Sequence, residues 1–591
     1  MADNYKITQY SVNSILNNVE SGQIAIPELQ RPFVWKGTEV RDLIDSLYEG
    51  YPIGYLIVWQ NSQVKLRNFG KGGTKKILID GQQRVTALMA SLLGREVLDD
   101  QYRSYPIKIA FNPMAGEEEE RFAVNDGSYE EKPCWIPDIS TLFKKDFSYR
   151  KFEKKYKDAN PEADSSLLET AVDQLRGITK HQVGIVELSF LLDIDVVSEI
   201  FIRINLQGKP LNQEDFAMSK ISVNEQFKGD KIRNSIDYFC HLLQEPSFME
   251  ALKSNEAEFM GTEYGKSLEW LAGGNSFPYI PSYADLLKVV LIAYFGKSKV
   301  SDLVNLLSGK TSHKGSISKK LSEESFKKLS DGVLAFISEK NFRGFIDALD
   351  QAGYCSGRLL YSQSLVNYCY AMYLMMDQEG ISPEKKAGLI GRWMTMCLLT
   401  GHYQNSPDSI VMKDYAEIQA AGFESYLKQI EELRLSDDFF ENVLPARYAS
   451  TTARTAPFLA FSAAQCAAGT NALYSKEISM RDLFAGKPES YQILPKAYLE
   501  KCGFKTREIY GQVGNISYIP REVKAIVKRS APADYKEKLL DILSQEEIAA
   551  SLAAHGIPEG IFEADKKSVE DLLGQRRVNM ARMMKEYYYN L

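Results

Sequence analysis

The chain has 591 residues, of which 44% are hydrophobic and 25% are charged, and its net charge is −7 at pH 7. This length predicts about two to four domains with a large core. The negative net charge excludes a globally basic nucleic-acid-binding surface, so any contact with nucleic acid requires a local basic patch.

The cysteines and the N-terminal sequence indicate the compartment. Seven cysteines are scattered without a CxxC spacing, which argues against a zinc site and a disulfide framework and fits a reducing cytoplasm. The N-terminus lacks the basic and apolar pattern of a signal peptide. The longest apolar runs are too short to span a bilayer. We therefore expect a cytoplasmic protein without a membrane partner.

Residues 1–225 mix strand and helix signals. The runs YPIGYLIVW (51–59) and KKILI (75–79) predict buried strands, because they are rich in Ile, Val, Tyr and Trp. The segments TEVRDLIDSLYEG (38–50) and QQRVTALMASLLG (82–94) have the apolar spacing of helices. These signals predict an α/β first domain.

The rest of the chain is mostly helical by its pattern. Residues 226–470 carry broad apolar faces with a helical period, which is typical of buried helices. Residues 471–591 mix strands and helices and close with a helix that is basic on one side and aromatic at its end. We expect an α+β fold that is helix-rich overall, with domains at 1–225, 226–470 and 471–591.

In the segment KKILIDGQQRVTAL, a buried strand leads into Asp80 and Gly81, and a helix follows at once. A helix N-terminus offers unpaired N–H groups and partial positive charge, which favour an anion. Gly81 permits close approach of a ligand, and Arg84 can bond to phosphate. Gln82 and Gln83 can position a water or a nucleotide edge. Asp80 can hold a divalent metal or orient the attacking water; alternatively, it only caps the helix.

Two further segments carry polar residues suited to a nucleotide pocket. In IPELQRPFVW, Gln30 and Arg31 lie between two prolines that fix the backbone, and Trp35 follows. Arg31 can meet a phosphate, and Trp35 can either stack on a base or pack in the core. In FIRINLQGKPL, Arg203 and Asn205 lie at the end of a predicted helix, where both can point into a site.

The boxes IPELQRPFVW, DGQQR and FIRINLQGKPL, in this order, resemble the N-terminal domain of GmrSD-type restriction endonucleases, which is related in fold to ParB and sulfiredoxin. The resemblance covers roughly the first 220 residues. It implies a pocket in which DGQQR serves NTP hydrolysis with Mg²⁺, and a role in defence against foreign, often modified, DNA such as that of phages.

The resemblance also assigns roles to residues. Those expected to act in catalysis are Asp80, which is also the candidate metal ligand, Gln82, Gln83 and Arg84. Those expected to bind the nucleotide are Gln30, Arg31, Arg203 and Asn205, to which the arguments above add Gly81 and Trp35.

The C-terminal unit resembles the HNH-like nuclease domain that many members of this family carry. YQILPKAYL, YGQVGN, REVKAIVKRSAPADY and RRVNMA match its scaffold. The motif's two histidines correspond to Tyr491 and Gln492, and two of its asparagines to Gly511 and Lys524, while Asn515 remains. An HNH site needs a His base and metal ligands. Tyr, with a pKa near ~10, and Gln cannot replace that base, so we predict an inactive nuclease-like domain.

Other roles for this domain stay open at the level of sequence. His402 or His555 could replace the lost base only if unrelated segments rebuilt the geometry. Local basic residues could bind DNA or a partner, or they could be ordinary charged surface. They are Lys496, Lys501, Lys505, Arg507, Lys524, Lys528 and Arg529.

We therefore expect an NTP-hydrolysing defence protein whose DNA cleavage, if it occurs, comes from a partner nuclease, and which could also act as a homo-oligomer. One alternative is a sensor that binds nucleotide or modified DNA without turnover. A second alternative is an atypical metal-dependent endonuclease.

Overall fold

In a computed structural model of the chain, the residues described are 4–25, 33, 35–61, 75–98, 104–116, 119–192, 196–197, 200, 213–222, 224–274, 276–309, 318–452, 454–528 and 530–591. Their contacts divide the chain into two compact units, residues 1–223 and 224–591. The helix-rich α+β fold class predicted from the sequence is confirmed. The further domain boundary near residue 470 stays a prediction.

A five-stranded mixed sheet organises the described part of the first unit. The described strands of the whole unit, inside and outside this sheet, are β1 (Tyr5–Ser11), β2 (Ile24–Ala25), β3 (Tyr55–Asn61), β4 (Lys75–Asp80), β5 (Val97–Leu98), β6 (Ser104–Tyr105), β7 (Ile109–Phe111), β8 (Phe122–Val124) and β9 (Gln182–Leu188). The sheet order is β1-β9-β3-β4-β2, with β1–β9 and β3–β4 antiparallel and β9–β3 and β4–β2 parallel. β5–β6 and β7–β8 form separate antiparallel pairs.

The central strands are apolar on both faces. Leu56 and Val58 join the larger core, whereas Ile57 and Trp59 pack on the opposite face with Ile77. Alternate side chains of a strand point to opposite faces, so burial of both faces explains the continuous apolar run LIVW. The helices of this unit are α1 (Val12–Glu20), α2 (Gly37–Tyr48), α3 (Gln82–Leu93), α4 (Tyr149–Ala159), α5 (Ser165–Gly177) and α6 (Gln213–Ser222), with 3₁₀ turns at Ile139–Phe143 and Ile178–Lys180.

The predicted elements next to the DGQQR segment lie close to those of the structure, with one correction. The strand predicted from residue 51 begins at Tyr55. Pro52 lacks an N–H for the ladder, and Gly54 has a φ of +84°, which is incompatible with an extended strand. Residues 51–54 are therefore a turn that leads into β3.

One buried carboxylate joins four strands of the sheet. Glu187 on β9 has a side chain that is only 1% exposed. Its hydrogen-bonding and ion-pair partners are Lys6 (3.0 Å), Thr8 (3.2 Å) and Tyr10 (2.9 Å) on β1, Gln60 (3.3 Å) on β3 and Lys76 (2.6 Å) on β4. Burial raises the pKa of Glu187, but the bonds from Lys76, Lys6 and Tyr10 outweigh it and lower that pKa to about 2.

The second unit begins as a helical bundle. Its helices are α7 (Gly229–Leu242), α8 (Phe248–Asn255), α9 (Ala257–Met260), α10 (Glu263–Lys266), α11 (Tyr283–Phe295), α12 (Val300–Leu307), α13 (Lys319–Ile337), α14 (Glu339–Gln351), α15 (Gln363–Gln378), α16 (Pro383–Thr400), α17 (Pro407–Ala421), α18 (Phe423–Arg434), α19 (Leu444–Arg447) and α20 (Ala456–Ala467). Every residue of α15 from Leu365 to Met376 is buried, as expected for a helix that is apolar all round.

The C-terminal part of this unit surrounds a small antiparallel pair of strands. Its elements are α21 (Met480–Ala485), β10 (Glu489–Gln492), α22 (Lys496–Lys501), α23 (Arg507–Tyr510), β11 (Ile516–Ile519), α24 (Arg521–Val527), α25 (Pro532–Leu540), α26 (Gln545–Ala554) and α27 (Val569–Asn590). Across the described residues, no helix has the length and apolar character needed to cross a membrane.

The last helix ties this part to the bundle. The hydroxyl of Tyr587 donates to the carbonyl of Ala352 (2.5 Å), and that of Tyr588 donates to Glu431 (2.6 Å). Near its start, the same helix carries Arg576, whose buried guanidinium donates to the carbonyls of Gly514 and Ile516. One helix therefore contributes to both parts of the unit.

Candidate functional site

The turn from β4 into α3 has a defined geometry. Val58 pairs with Leu78, while the neighbouring Ile57 pairs with Asp80, so β4 carries one extra residue at its end. Such a bulge changes the direction of the next side chain. Gly81 follows with a φ of +91°, and a Cβ there would lie 2.1 Å from a methyl carbon of Leu56. Glycine is therefore required both by conformation and by space.

Asp80 does not cap the helix. The N-cap position belongs to Gly81, and no side chain makes a cap hydrogen bond there within the described residues. The Asp80 Oδ2 instead accepts from Nη2 of Arg84 at 3.1 Å, four residues along. The two side chains are 24% and 19% exposed, so both remain accessible from solvent. Asp80 therefore forms an ion pair at the N-terminus of α3 and does not act as its cap.

The guanidinium of Arg84 is held on several sides. Its Nη1 donates to the carbonyl of Ile53 at 2.8 Å. A Cβ added to Gly54 would lie 2.7 Å from that nitrogen, and one added to Gly81 would lie 3.5 Å from Nη2. The guanidinium therefore occupies space that Gly54 leaves open and lies in ordinary contact distance of Gly81. Arginine carries five N–H donors, and the bonds to Asp80 and Ile53 leave others for an anion.

The two glutamines start α3. Gln82 and Gln83 are both half-buried, and Nε2 of Gln82 donates to the carbonyl of Leu78 at 3.3 Å. This bond fixes Gln82 against the strand, so its Oε1 is the atom left for a water or a ligand. The structure thus brings Asp80, Gly81, Gln82, Gln83 and Arg84 together at one strand-to-helix turn.

Of the residues predicted to bind the nucleotide, two are within the described part of the chain. Gly81 lies at the turn, whereas Trp35 is half-buried and packs against the larger core of the first unit, which favours the packing role for Trp35. Gln30, Arg31, Arg203 and Asn205 lie outside the described residues.

The metal-binding groups at the turn fit an ion that binds together with a phosphate ligand. Among the residues that the structure describes, no three His, Cys, Asp or Glu side chains stand together as a metal site. Mg²⁺ usually keeps several waters and binds through one or two carboxylates plus substrate phosphates. Asp80 could supply such a single carboxylate, so the residues fit Mg²⁺ bound to a phosphate and not an ion held by protein ligands alone.

In the C-terminal unit, Asn515 is fully engaged as a structural residue. It is 0% exposed. Its Oδ1 accepts from the N–H of Leu494 (2.8 Å), and its Nδ2 donates to the carbonyls of Leu494 (2.8 Å) and Tyr510 (3.0 Å). These bonds join the segment before α22 to the end of α23. No donor of the side chain is left to orient a catalytic base.

Tyr491 and Gln492, which the resemblance places at the motif histidines, lie on β10. Tyr491 is 6% exposed, and its pKa is raised by burial, so its hydroxyl stays protonated at neutral pH. Gln492 donates to the carbonyl of Tyr510 (3.0 Å) and accepts from the N–H of Lys496 (3.3 Å). Both side chains therefore serve the packing of the hairpin.

Gly511 and Lys524 are the residues that the resemblance places at two of the motif asparagines. A Cβ at Gly511 would lie 2.9 Å from the carbonyl oxygen of Arg507, so this local backbone disfavours any side chain there. The Nζ of Lys524 forms an ion pair with Glu489 at 2.6 Å. The residues present would bring a cation and no metal ligand to this place.

The two histidines considered as substitutes are buried. Nε2 of His402 lies 3.0 Å from a carboxylate oxygen of Asp414, and His402 is 4% exposed. His555 is 0% exposed. Its Nε2 donates to the carbonyl of Asn471 (3.0 Å), and its Nδ1 accepts from Ser517 (3.0 Å). Burial lowers the pKa of His555 to about 4. Neither ring is exposed to a DNA substrate.

The predicted basic patch is partly neutralised. Lys496 pairs with Glu500 (3.7 Å) and Lys524 pairs with Glu489 (2.6 Å). The exposed cations that remain are Lys501, Lys505, Arg507 and Lys528, while Arg529 lies outside the described residues. This charge is modest, and it leaves the choice between a binding surface and ordinary surface open.

Two contributors to the first site were missed by sequence reasoning. The carbonyl of Ile53 and the space at Gly54 both hold Arg84, yet YPIG reads as part of a strand. The Pro and Gly in that run were the available signal, because they indicate a turn.

A search of curated proteins finds no match to the chain. A family model described as "GmrSD restriction endonuclease, N-terminal domain" matches residues 12–222, which include the strand-to-helix turn that holds Asp80 and Arg84. This match confirms the resemblance predicted for the first part of the chain, and residues 12–222 are similar to the N-terminal domain of GmrSD restriction endonucleases.

Proposed function

We propose that the first unit binds an NTP with Mg²⁺ and hydrolyses it at the DGQQR turn. The observation that supports this most is the pair of Asp80 and Arg84, 3.1 Å apart at the N-terminus of α3, with Arg84 anchored to the carbonyl of Ile53. A cation, a carboxylate and a helix N-terminus at one accessible turn are the elements that phosphate binding and hydrolysis require.

Each residue has a role in this proposal. Arg84 donates its remaining N–H groups to phosphate oxygens and stabilises charge that develops on them. Asp80 holds the Mg²⁺, which when bound polarises a phosphate oxygen. Gln82 and Gln83 position the attacking water. Gly81 allows the phosphates to approach the backbone N–H groups of the helix.

Phosphate release tests this proposal. Purified protein with Mg²⁺ is incubated separately with ATP, GTP, CTP and UTP, and release is compared with that of Asp80→Ala. We expect release with at least one nucleotide and a loss of about 100-fold or more in the variant, in line with the removal of a metal ligand or water-orienting group. Absence of release with all four nucleotides contradicts the proposal.

A second candidate is nucleotide binding without turnover. The ion pair with Arg84 favours it, because one carboxylate oxygen of Asp80 is already engaged by a guanidinium N–H and is less available to a metal or a water. Calorimetry with each NTP distinguishes the two: binding heat without any phosphate release supports the sensor, whereas heat followed by release supports the NTPase.

We further propose that residues 471–591 form an inactive nuclease-like domain that binds DNA or a partner. The support for this proposal is that the side chains of Asn515 and Gln492 are engaged in hydrogen bonds to the backbone of neighbouring segments. The restriction endonuclease family that residues 12–222 match implies DNA as the target of the system. Cleavage would then come from a partner nuclease.

DNA cleavage tests this second proposal. The full chain is incubated with phage DNA, Mg²⁺ or Mn²⁺, and NTP. We expect intact DNA in every combination. Cleavage that Gln492→Ala abolishes would establish the alternative of an atypical endonuclease.

A further inference from the structure

We infer that Gly54 is a positioning residue for the Arg84 guanidinium, and that the turn 51–54 sets where this cation presents its donors. The catalytic consequence of this inference rests on the proposed NTPase function, but the geometric coupling between Gly54 and Arg84 does not. Nothing in the DGQQR motif itself indicates that a residue some 30 positions earlier fixes its arginine.

The contact is specific and close. The Arg84 Nη1 donates to the carbonyl of Ile53 at 2.8 Å, and a Cβ on the next residue, Gly54, would lie 2.7 Å from the same nitrogen. A real Cβ does not approach a nitrogen so closely, so alanine at this position must displace the guanidinium. The displaced group would lose its bond to Ile53, its alignment with Asp80, or both.

The other end of the guanidinium is held by Asp80, whose Oδ2 accepts from the Arg84 Nη2 at 3.1 Å. Asp80 ends β4, and its position is set by its pairing with Ile57. A shift of Nη1 away from residue 54 therefore disturbs the bond to Ile53, the ion pair with Asp80, or both.

Gly50 offers a matched control in the same stretch of chain. Gly50 has a φ of +77° and Gly54 a φ of +84°, so alanine at either position adopts a left-handed backbone with similar strain. A Cβ on Gly50 meets nothing within 4 Å, whereas one on Gly54 meets Arg84. The difference between Gly50→Ala and Gly54→Ala therefore isolates the contact with the guanidinium.

The coupling is measured first without nucleotide, by a double-mutant cycle in thermal unfolding. The proteins are wild type, Gly50→Ala, Gly54→Ala, Arg84→Ala and the Gly54→Ala/Arg84→Ala double variant. We expect Gly54→Ala to lower the Tm more than Gly50→Ala does. In the Arg84→Ala background, Gly54→Ala should lower the Tm by no more than Gly50→Ala does in wild type. An excess that persists without Arg84 overturns the inference.

Turnover then tests positioning against simple destabilisation, at a temperature where all variants are folded. For the NTP that wild type hydrolyses best, we expect Gly54→Ala to lower kcat by about 10- to 100-fold with KM within about threefold, and Gly50→Ala to leave both within about twofold. An unchanged kcat in folded Gly54→Ala overturns the inference. If wild type hydrolyses no NTP, the proposed function fails, and the unfolding cycle alone decides for or against the coupling.

Discussion

Arg84 owes its place to residues outside its motif. Its guanidinium bonds to Asp80 within DGQQR and to the carbonyl of Ile53 in an earlier turn. The two bonds use different nitrogens of the group, Nη1 and Nη2, so they fix the orientation of its plane as well as the position of its charge. A planar fork can satisfy both at once, and a lysine ammonium has no such fixed geometry.

This difference predicts the effect of Arg84→Lys. The lysine keeps the charge but cannot hold both partners in one plane, so we expect phosphate release to fall by about 100-fold. Steady-state kinetics with the preferred NTP measure the effect. Arg95→Lys is the control, because Arg95 forms an exposed pair with Glu20, and its rate should stay within about twofold of wild type. Equal rates in both variants would show that Arg84 acts only as a point charge.

A second residue-scale prediction concerns Glu187. Its folded pKa is about 2, below the ordinary value of 4.5, so the stability it contributes is present above pH 4.5 and is lost as the pH falls towards 2. We expect Glu187→Gln to lower the free energy of unfolding by roughly 2 kcal/mol or more at pH 7, because charged hydrogen bonds from Lys76 and Lys6 are lost. The variant should also show a flatter stability profile between pH 4.5 and 2.

Urea unfolding at several pH values measures both effects. Glu20→Gln is the matched control, since its pair with Arg95 is exposed and should contribute about 0–1 kcal/mol. If Glu187→Gln and Glu20→Gln gave equal losses, the buried cluster would not stabilise the sheet.

At the scale of elements, sequence reasoning placed the strand and the helix of the DGQQR turn but not the exact shape of that turn. The strand before Asp80 and the helix from Gln82 match the observed β4 and α3. The bulge in β4 and the turn at 51–54 were missed. A bulge depends on which residues pair across two strands, and a single sequence does not show that pairing. The strand-to-helix turn at Asp80 was therefore predictable, while the pairing of Asp80 with Ile57 across the sheet was not.

The hairpin of β10 and β11 shows the same limit. Its motif letters predicted an absence of nuclease chemistry, which stays a prediction, whereas the structural contacts of Gln492 and Asn515 are visible only in their hydrogen bonds. His555 is a further example. The sequence did not indicate its partners, and the structure shows that its ring bridges the carbonyl of Asn471 and the hydroxyl of Ser517.

His555 predicts a pH effect on this part of the protein. Burial lowers its folded pKa to about 4 from an ordinary 6.5, so the folded state binds fewer protons than the unfolded state between these values. Stability is then present above pH 6.5 and decreases as the pH falls to 4, by up to roughly 3 kcal/mol. Comparison of wild type with His555→Gln by urea unfolding isolates this effect. An equal slope in both proteins would mean that the ring does not stay neutral.

At the scale of the whole molecule, the helix-rich α+β class and the similarity of residues 12–222 to the GmrSD N-terminal domain followed from the sequence. Gln30, Arg31, Arg203 and Asn205 fall outside the described residues, so their part in the pocket stays a prediction. The connection made by α27 could not be predicted, because residue spacing does not reveal which distant carbonyl or carboxylate a tyrosine reaches. Tyr588 and its partner Glu431 are 157 residues apart.

This connection predicts unequal effects of two neighbouring tyrosines. Tyr588 is 0% exposed and donates to Glu431, whereas Tyr589 is 56% exposed. Tyr588→Phe leaves a buried carboxylate with one donor fewer, so we expect a loss of about 1–3 kcal/mol in the free energy of unfolding. Tyr589→Phe should stay within about 0.5 kcal/mol of wild type. Urea unfolding of the full chain in both variants measures the difference. Equal losses in the free energy of unfolding would show that the buried bond of Tyr588 adds no stability.

The location of catalysis is tested most directly by phosphate release from three proteins under one condition: wild type, Asp80→Asn and Gln492→Ala, with Mg²⁺ and the preferred NTP. Each variant removes polar contacts in only one of the two units. We expect the DGQQR turn to be the catalytic site and the YQILPKAYL segment to be a scaffold. The rate of phosphate release by Gln492→Ala then stays within about threefold of wild type, and that of Asp80→Asn falls by about 100-fold or more. Undiminished release by Asp80→Asn, or loss of release in a folded Gln492→Ala protein, would contradict this account.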